Sequence, residues 1–198
     1  MFLYFSKKHI KGKKMKDHND NTTENKKKKA FVMGTKYLVR VAIFAGIYFA
    51  LSFTLQAISY GPLQFRVGEA MTLLPLIFPE AVLGLTIGCL ISNIFSPFGW
   101  YDMVFGTLAT LIASVLTYII GRLLKNKNII LKGVVGAIPP ILVNALLLPL
   151  IWFLFSGDTL YWINFGMILG TQAATIFVLG LPLLIALNKA KGYDESLK

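Results

Sequence analysis

The sequence predicts an all-α polytopic membrane protein of six transmembrane helices, and three observations carry that reading. Of its 198 residues, 56% are hydrophobic and 15% charged, and the mean hydropathy is +0.66. The apolar residues fall in long runs rather than at the amphipathic spacing of a soluble domain. The charges segregate: 12 of the 20 Lys and Arg precede residue 41, four lie in Arg122 to Lys132, three follow Asn188, and Arg66 stands apart. Basic segments stay on the cytoplasmic side of a membrane, so the net charge of +11 reports orientation rather than a nucleic-acid partner.

Residues 1–35 are rich in Lys and Asn, with little apolar content beyond Met1 to Phe5, which predicts a disordered basic cytoplasmic tail. They lack the apolar core and small-residue cleavage site of a signal peptide. Met33, followed by Gly-Thr-Lys-Tyr-Leu-Val-Arg, would make a natural start, with the first 32 residues an over-extended reading frame. Residues 36–189 form the expected membrane domain, and 190–198 a second cytoplasmic tail. Cys89 is the single cysteine, so no intrachain disulfide is possible.

The first helix is predicted over Tyr37 to Ala57, about the 20 residues a bilayer span needs. Ala42, Gly46 and Ala50 recur at spacing four and place small residues on one stripe, which suits either a docking partner or packing within the chain. Next comes Gly61-Pro-Leu-Gln-Phe-Arg-Val-Gly-Glu-Ala-Met71, a polar loop between strongly apolar segments. Charged residues such as Arg66 and Glu69 beside a spanning helix point to function.

Residues 67–95 read either as one kinked helix or as two short helices broken at Pro79-Glu80, where Pro suits a first turn and Glu complements the positive helix end. Charge decides between them. Two helices make six in all and put the amino end, the Arg122 to Lys132 loop and the carboxyl end on one side; one helix would move that basic loop outside. The second helix, Gly68 to Phe78, would then rise only ~16 Å as an α-helix. Irregular backbone must enter the membrane zone, which is tolerated where it is buried in protein or lines a cavity.

The third helix, Pro79 to Phe95, carries Gly84 and Gly88 at packing spacing and Ser92 and Asn93 near its end. Ser96 to Tyr101 is a turn with interfacial aromatics, and Asp102 stands where an amino cap of the fourth helix, Met103 to Leu124, would. The fifth, Gly133 to Phe155, is expected to be interrupted by Pro139-Pro140 and Pro149, with Asn144 between. The sixth, Tyr161 to Leu187, has Gly166, Gly170 and Ala174 on one stripe and brings Asn164 and Gln172 to depth.

On this topology Arg66, Glu69, Asn93, Asp102 and Asp158 lie toward the outer face, while Glu80 lies inside as a helix-start residue. A cavity open outward and lined by carboxylates, amides and the rings of Phe65, Trp100, Tyr101 and Trp162 suits a small, polar, planar ligand. Catalytic constellations are missing. His9 and His18 are the only histidines and both lie in the tail, which argues against a histidine-dependent protease or metal site. No GxxxxGK[ST] phosphate loop occurs, so the chain is not expected to bind ATP by that route; if it carries out active transport, another subunit must supply the energy.

Three blocks carry a resemblance: Tyr60-Gly-Pro-Leu-Gln-Phe-Arg-Val-Gly-Glu-Ala-Met-Thr-Leu-Leu-Pro75, Phe78-Pro-Glu-Ala-Val-Leu-Gly-Leu-Thr-Ile-Gly-Cys-Leu-Ile-Ser-Asn93 and Asp102-Met-Val-Phe-Gly-Thr-Leu-Ala-Thr110. Over roughly Met33 to Asn188 the chain resembles the queuosine precursor transporter (QueT) family, the substrate-binding S components of energy-coupling factor (ECF) transporters. The resemblance implies an S-component-like bundle, not an enzyme, that takes up a 7-deazaguanine such as prequeuosine at the cell membrane with both termini cytoplasmic. The implied partners are the lipid bilayer, a transmembrane coupling subunit and two ATPase subunits that use the ATP, with no cofactor in this chain. Ala42, Gly46 and Ala50 resemble the first-helix motif through which S components dock on the coupling subunit. The amino tail departs from the family pattern.

A deazaguanine edge offers N–H donors and one carbonyl, so it calls for a carboxylate and an amide; prequeuosine adds an ammonium that calls for a second acid. Glu69 is the candidate for the base edge, Asp102 or Asp158 for the ammonium, and Asn93, Asn144 and Gln172 for the carbonyl and ring nitrogen. Arg66 also has a structural reading, as a salt bridge to Glu69 three residues on. Two alternatives stand beside this one: an S component for another vitamin or nucleobase, and a stand-alone channel, carrier or membrane-embedded enzyme.

Overall fold

Backbone amides in hydrocarbon find partners only inside helices or closed barrels, and every regular element among the described residues is helical. The computed structural model describes residues 34–55, 65–96 and 99–196, with side chains up to residue 190. Contacts divide the chain into two units, Met1–Val39 and Arg40–Lys198. Of the first, the described part is 34–39, the opening turns of a helix. The expectations for residues 1–33, and for the loop through residue 64, lie outside the described residues.

Among the described residues six helices follow in order: α1 (Gly34–Thr54), α2 (Val67–Leu76), α3 (Glu80–Asn93), α4 (Asp102–Leu123), α5 (Ile129–Phe155) and α6, which runs through Tyr161–Thr175, Ile176–Gly180 and Leu181–Ser196. Of these, α1, α4, α5 and α6 are long and apolar enough to cross a membrane. The chain is an all-α membrane protein. Its α6 continues past the expected end at Leu187.

The break expected at Pro79-Glu80 is present, because α2 ends at Leu76 and α3 begins at Glu80. Its form differs from expectation. α2 is a 3-10 helix, which rises about 2.0 Å per residue and so makes its 10 residues ~20 Å long rather than ~15 Å. Met71 and Leu74 of α2 pack against Ala81, Leu85 and Cys89 of α3 as an antiparallel hairpin, with Tyr48 of α1 completing the cluster.

α2 is the axis of the bundle. Every residue from Gly68 to Leu76 is buried, and helices on several sides present glycines to it. A Cβ at Gly121 of α4 would stand 2.9 Å from Leu76 Cα, and one at Gly180 of α6 would stand 2.6 Å from the Ala70 carbonyl. Only a side chain of one hydrogen lets those backbones approach so closely. Leu73 and Leu76 then meet Ala137 of α5 and Ile176 and Leu184 of α6 in a second apolar cluster.

The interruption expected in α5 is not found: Ile129–Phe155 is one continuous helix containing all three prolines. Pro140 has no N–H, so the carbonyl four residues back, at Gly136, loses its helical donor. Thr117 of α4 replaces it, donating from Oγ1 to Gly136 O at 3.1 Å. A neighbouring hydroxyl thus satisfies the backbone that proline frees, as the absence of water in a membrane interior requires.

Candidate functional site

Glu69, in the first turn of α2, is 0% exposed. Helices α1, α4 and α5 each bring it a donor. Tyr48 Oη donates to Oε1 at 2.6 Å, Thr110 Oγ1 reaches the same oxygen at 3.3 Å, and Asn144 Nδ2 donates to Oε2 at 3.3 Å. Thr110 has one proton but also stands 3.2 Å from both Cys89 Sγ and Gly106 O, so it serves Glu69 only by leaving the others. The carboxylate therefore has adaptable partners.

Asp102 is held differently. Arg66 Nη2 lies 2.9 Å from Oδ1 and 3.1 Å from Oδ2, and Ser96 Oγ donates to Oδ2 at 2.6 Å. Asn93 Nδ2 donates to the Asp102 backbone carbonyl at 3.1 Å. All four residues are buried. The capping role expected of Asp102 is not found, because the helix starts before it and its carboxylate faces Arg66 and Ser96 instead of free amides. Arg66 forms an ion pair with Asp102, 36 residues away; a pair with Glu69, three residues on, is only the alternative structural reading of Arg66.

Asp102–Gly106 is a turn of π-helix, a form frequent at functional sites, and it lets the Gly106 carbonyl face Thr110 and Cys89. A Cβ at Gly106 would stand 2.9 Å from Asn93 Nδ2 and 3.0 Å from Asp102 Oδ1. Glycine there lets the two polar groups lie against α4. The structure thus brings Arg66, Asn93 and Asp102 into one cluster and links it through Gly106 and Thr110 to Glu69 and Asn144.

Gln172 is buried on α6, between Ile168, which packs on Ala145, Leu148 and Trp152, and Ile176, which packs on Leu73 and Leu76. Its Oε1 has no donor among the described residues. An unsatisfied buried acceptor costs on the order of 1–3 kcal/mol, so a ligand N–H that reached it would relieve that cost.

The remaining predicted site residues lie elsewhere. Tyr101 stacks on Phe155 at 6.2 Å, and Trp100 packs edge-on to both rings. Trp100 and Trp162 are 60% and 76% exposed, and Phe65 is half-buried. Asp158 accepts from Leu160 N at 2.8 Å and Asn164 Nδ2 at 2.7 Å, which ties down the entry to α6. Trp100, Tyr101, Asp158 and Trp162 form an aromatic and polar rim around the end of α5 and the start of α6. Glu80 meets Arg40 of α1 at 3.0 Å.

Ala42, Gly46 and Ala50 face outward on α1, and a Cβ at Gly46 would meet nothing within 4 Å. The inward stripe of the same helix is Val41, Ala45, Tyr48 and Ser52, with Gly84 and Gly88 of α3 packed against it. Sequence reasoning missed Tyr48, Ser96 and Thr110. The signal for Thr110 was present, since Thr110, Ser114 and Thr117 put hydroxyls at helical spacing along one fully buried face of α4.

A family model described as QueT transporter matches residues 38–189. A curated relative, the queuosine precursor transporter QueT of Lactococcus lactis subsp. cremoris (strain MG1363), is 44% identical over 77 residues. That stretch is 38% of this chain and 45% of the relative, so the match spans less than half of the relative's length. No solved structure matches.

Proposed function

The chain belongs to the QueT transporter family, and from that premise we propose that it is the S component of an ECF importer, binding a queuosine precursor such as prequeuosine. The observation that carries the reading is the buried contact of Glu69 with Asn144 at 3.3 Å in a bundle of this family, with Gln172 Oε1 on α6 a further buried acceptor that has no donor among the described residues. Carboxylate and amide oxygens accept from the ring and exocyclic N–H groups of a deazaguanine, and an amide N–H donates to its carbonyl. Thr110 and Asn144 can turn away from Glu69 as ligand donors replace them.

The ammonium of prequeuosine is assigned to Asp102. There it would take the place of Arg66, one cation replacing another, so the buried carboxylate stays paired throughout. Asp158 is the less suitable acid. It follows α5 beyond Trp152, which is eight residues or ~12 Å along an α-helix from Asn144.

The basic ends of the helices lie on the cytoplasmic side in this reading, with both termini. The outward stripe of Ala42, Gly46 and Ala50 receives the coupling subunit, and two ATPase subunits supply the energy. A Cβ at Gly46 meets nothing within 4 Å among the described residues, which favours docking over internal packing.

A thermal-shift panel tests the substrate: purified protein with prequeuosine, its nitrile precursor, queuine, guanine and several vitamins. A ligand at 100 times its Kd stabilises by about 2.7 kcal/mol, a shift of several degrees. The expected result is a rise with a queuosine precursor. Stabilisation by a vitamin alone would move the chain to a different substrate class.

A further inference from the structure

Far from Glu69, a cavity of about 560 Å³ opens where the α2–α3 turn, the end of α4, the start of α5 and α6 meet. Its size falls in the range of about 300–1,000 Å³ that small-molecule sites occupy. Arg122, Lys125 and Lys132 line it together with Leu76, Tyr118 and Asn188. None of the three cations joins an ion pair among the described residues, and none of the residues lining the cavity is acidic. Glu80, next to the lining residue Pro79, is matched by Arg40.

The cavity is built rather than a loose basic loop. Lys132 Nζ donates to Lys125 O at 2.8 Å and so ties the α4–α5 connection to the start of α5, while the Arg122 guanidinium lies 5.7 Å from the centre of the Tyr118 ring. Outside it the surface turns apolar at once. Leu123, next in sequence to the lining residue Arg122, is 78% exposed, and Ile130 and Leu131, just before the lining residue Lys132 on α5, are exposed as well.

Cations over a pocket at the end of membrane helices, flanked by bare apolar side chains, match a molecule with an anionic head and hydrocarbon tails. We propose that this cavity binds the phosphate of an anionic lipid headgroup through Arg122, Lys125 and Lys132, with the acyl chains along the faces marked by Leu123 and Ile130. The site is separate from substrate binding and does not depend on the identity of the transported ligand.

Native mass spectrometry of the full chain in detergent tests it, with phosphatidylglycerol, phosphatidylcholine and glycerol 1-phosphate as probes. Phosphatidylglycerol should be retained in preference to phosphatidylcholine, and Arg122→Gln and Lys132→Gln should each weaken it about fivefold. Lys127→Gln, an exposed cation of the same connection that does not line the cavity, should leave retention unchanged. Equal retention of the two lipids would overturn the proposal, as would a loss with Lys127→Gln as large as that with Arg122→Gln. Glycerol 1-phosphate displacing the lipid at equal concentration would assign the cavity to a soluble phosphate instead.

Discussion

Arg66 Nη2 stands 2.9 Å from Asp102 Oδ1, joining the start of α2 to the start of α4 through a pair with almost no solvent contact. Removing either partner breaks a buried ion pair and leaves the other charge without it, which costs on the order of 3–5 kcal/mol. Arg66→Gln and Asp102→Asn should each lower the unfolding midpoint strongly. The double variant should lose much less than the sum, a coupling that a double-mutant cycle in detergent measures. Additive losses would show that the two groups do not stabilise each other.

Glu69→Gln keeps the shape of the side chain, and Tyr48 can still donate to the amide oxygen. The fold should therefore survive with a small change in midpoint. Ligand affinity should not, because a hydrogen bond to a charged acceptor contributes about 1.5–3 kcal/mol, or roughly 10- to 150-fold in Kd. Calorimetric titration of the wild type and variant with prequeuosine makes the comparison. An unchanged Kd in a folded variant would remove Glu69 from the site.

How much of the molecule is legible in its sequence follows from which forces act locally. Hydropathy and charge segregation are properties of single segments, so the six helices and the break at Pro79-Glu80 can be read from the residues alone. The burial of α2 along the bundle axis cannot, because it depends on glycines at 121 and 180 that meet α2 only after folding. Arg66 illustrates the same limit. Its local option is Glu69, three residues away, yet the ion pair formed is with Asp102 across 36 positions. Likewise, Pro139-Pro140 breaks a helix in isolation, but Thr117 from another helix supplies the missing donor to Gly136. Glu69 and Asn144 are legible as polar groups at depth, whereas Tyr48 reads as an ordinary aromatic of an apolar helix.

Gly46→Leu distinguishes docking from internal packing at the α1 stripe. Because a Cβ there meets nothing within 4 Å among the described residues and the position is exposed, folding and ligand binding should be preserved. If the stripe receives a coupling subunit as proposed, copurification with that subunit should be lost, since a bulky residue prevents close helix approach. A variant that still assembles would show that the coupling subunit docks elsewhere.

Two glycines of α6 should respond in opposite ways to the same change. Gly180→Ala would place a methyl group 2.6 Å from the Ala70 carbonyl and force α2 and α6 apart, at about 1–3 kcal/mol. Gly170→Ala enters open space and should be neutral or stabilising by up to about 1 kcal/mol through helix propensity. Thermal unfolding of the two variants side by side provides the measurement. A tolerated Gly180→Ala would mean that α2 is not packed as closely as its surroundings indicate.

Thr117 and Pro140 should be coupled through an atom that belongs to neither. Pro140 leaves the Gly136 carbonyl without its helical donor, and Thr117 Oγ1 supplies one at 3.1 Å. Thr117→Val removes that donor and buries an unpaired carbonyl, which should destabilise by roughly 0.5–1.5 kcal/mol, within the range measured for hydrogen bonds between membrane helices. Pro140→Ala restores a backbone N–H four residues after Gly136, so the carbonyl regains an intrahelical partner and no longer needs the hydroxyl. In that background Thr117→Val should cost markedly less. A double-mutant cycle by reversible unfolding in mixed micelles reads the difference directly. Equal costs in both backgrounds would mean that the Thr117 hydroxyl does not hold the proline-containing helix together, and that the continuity of α5 rests on packing alone.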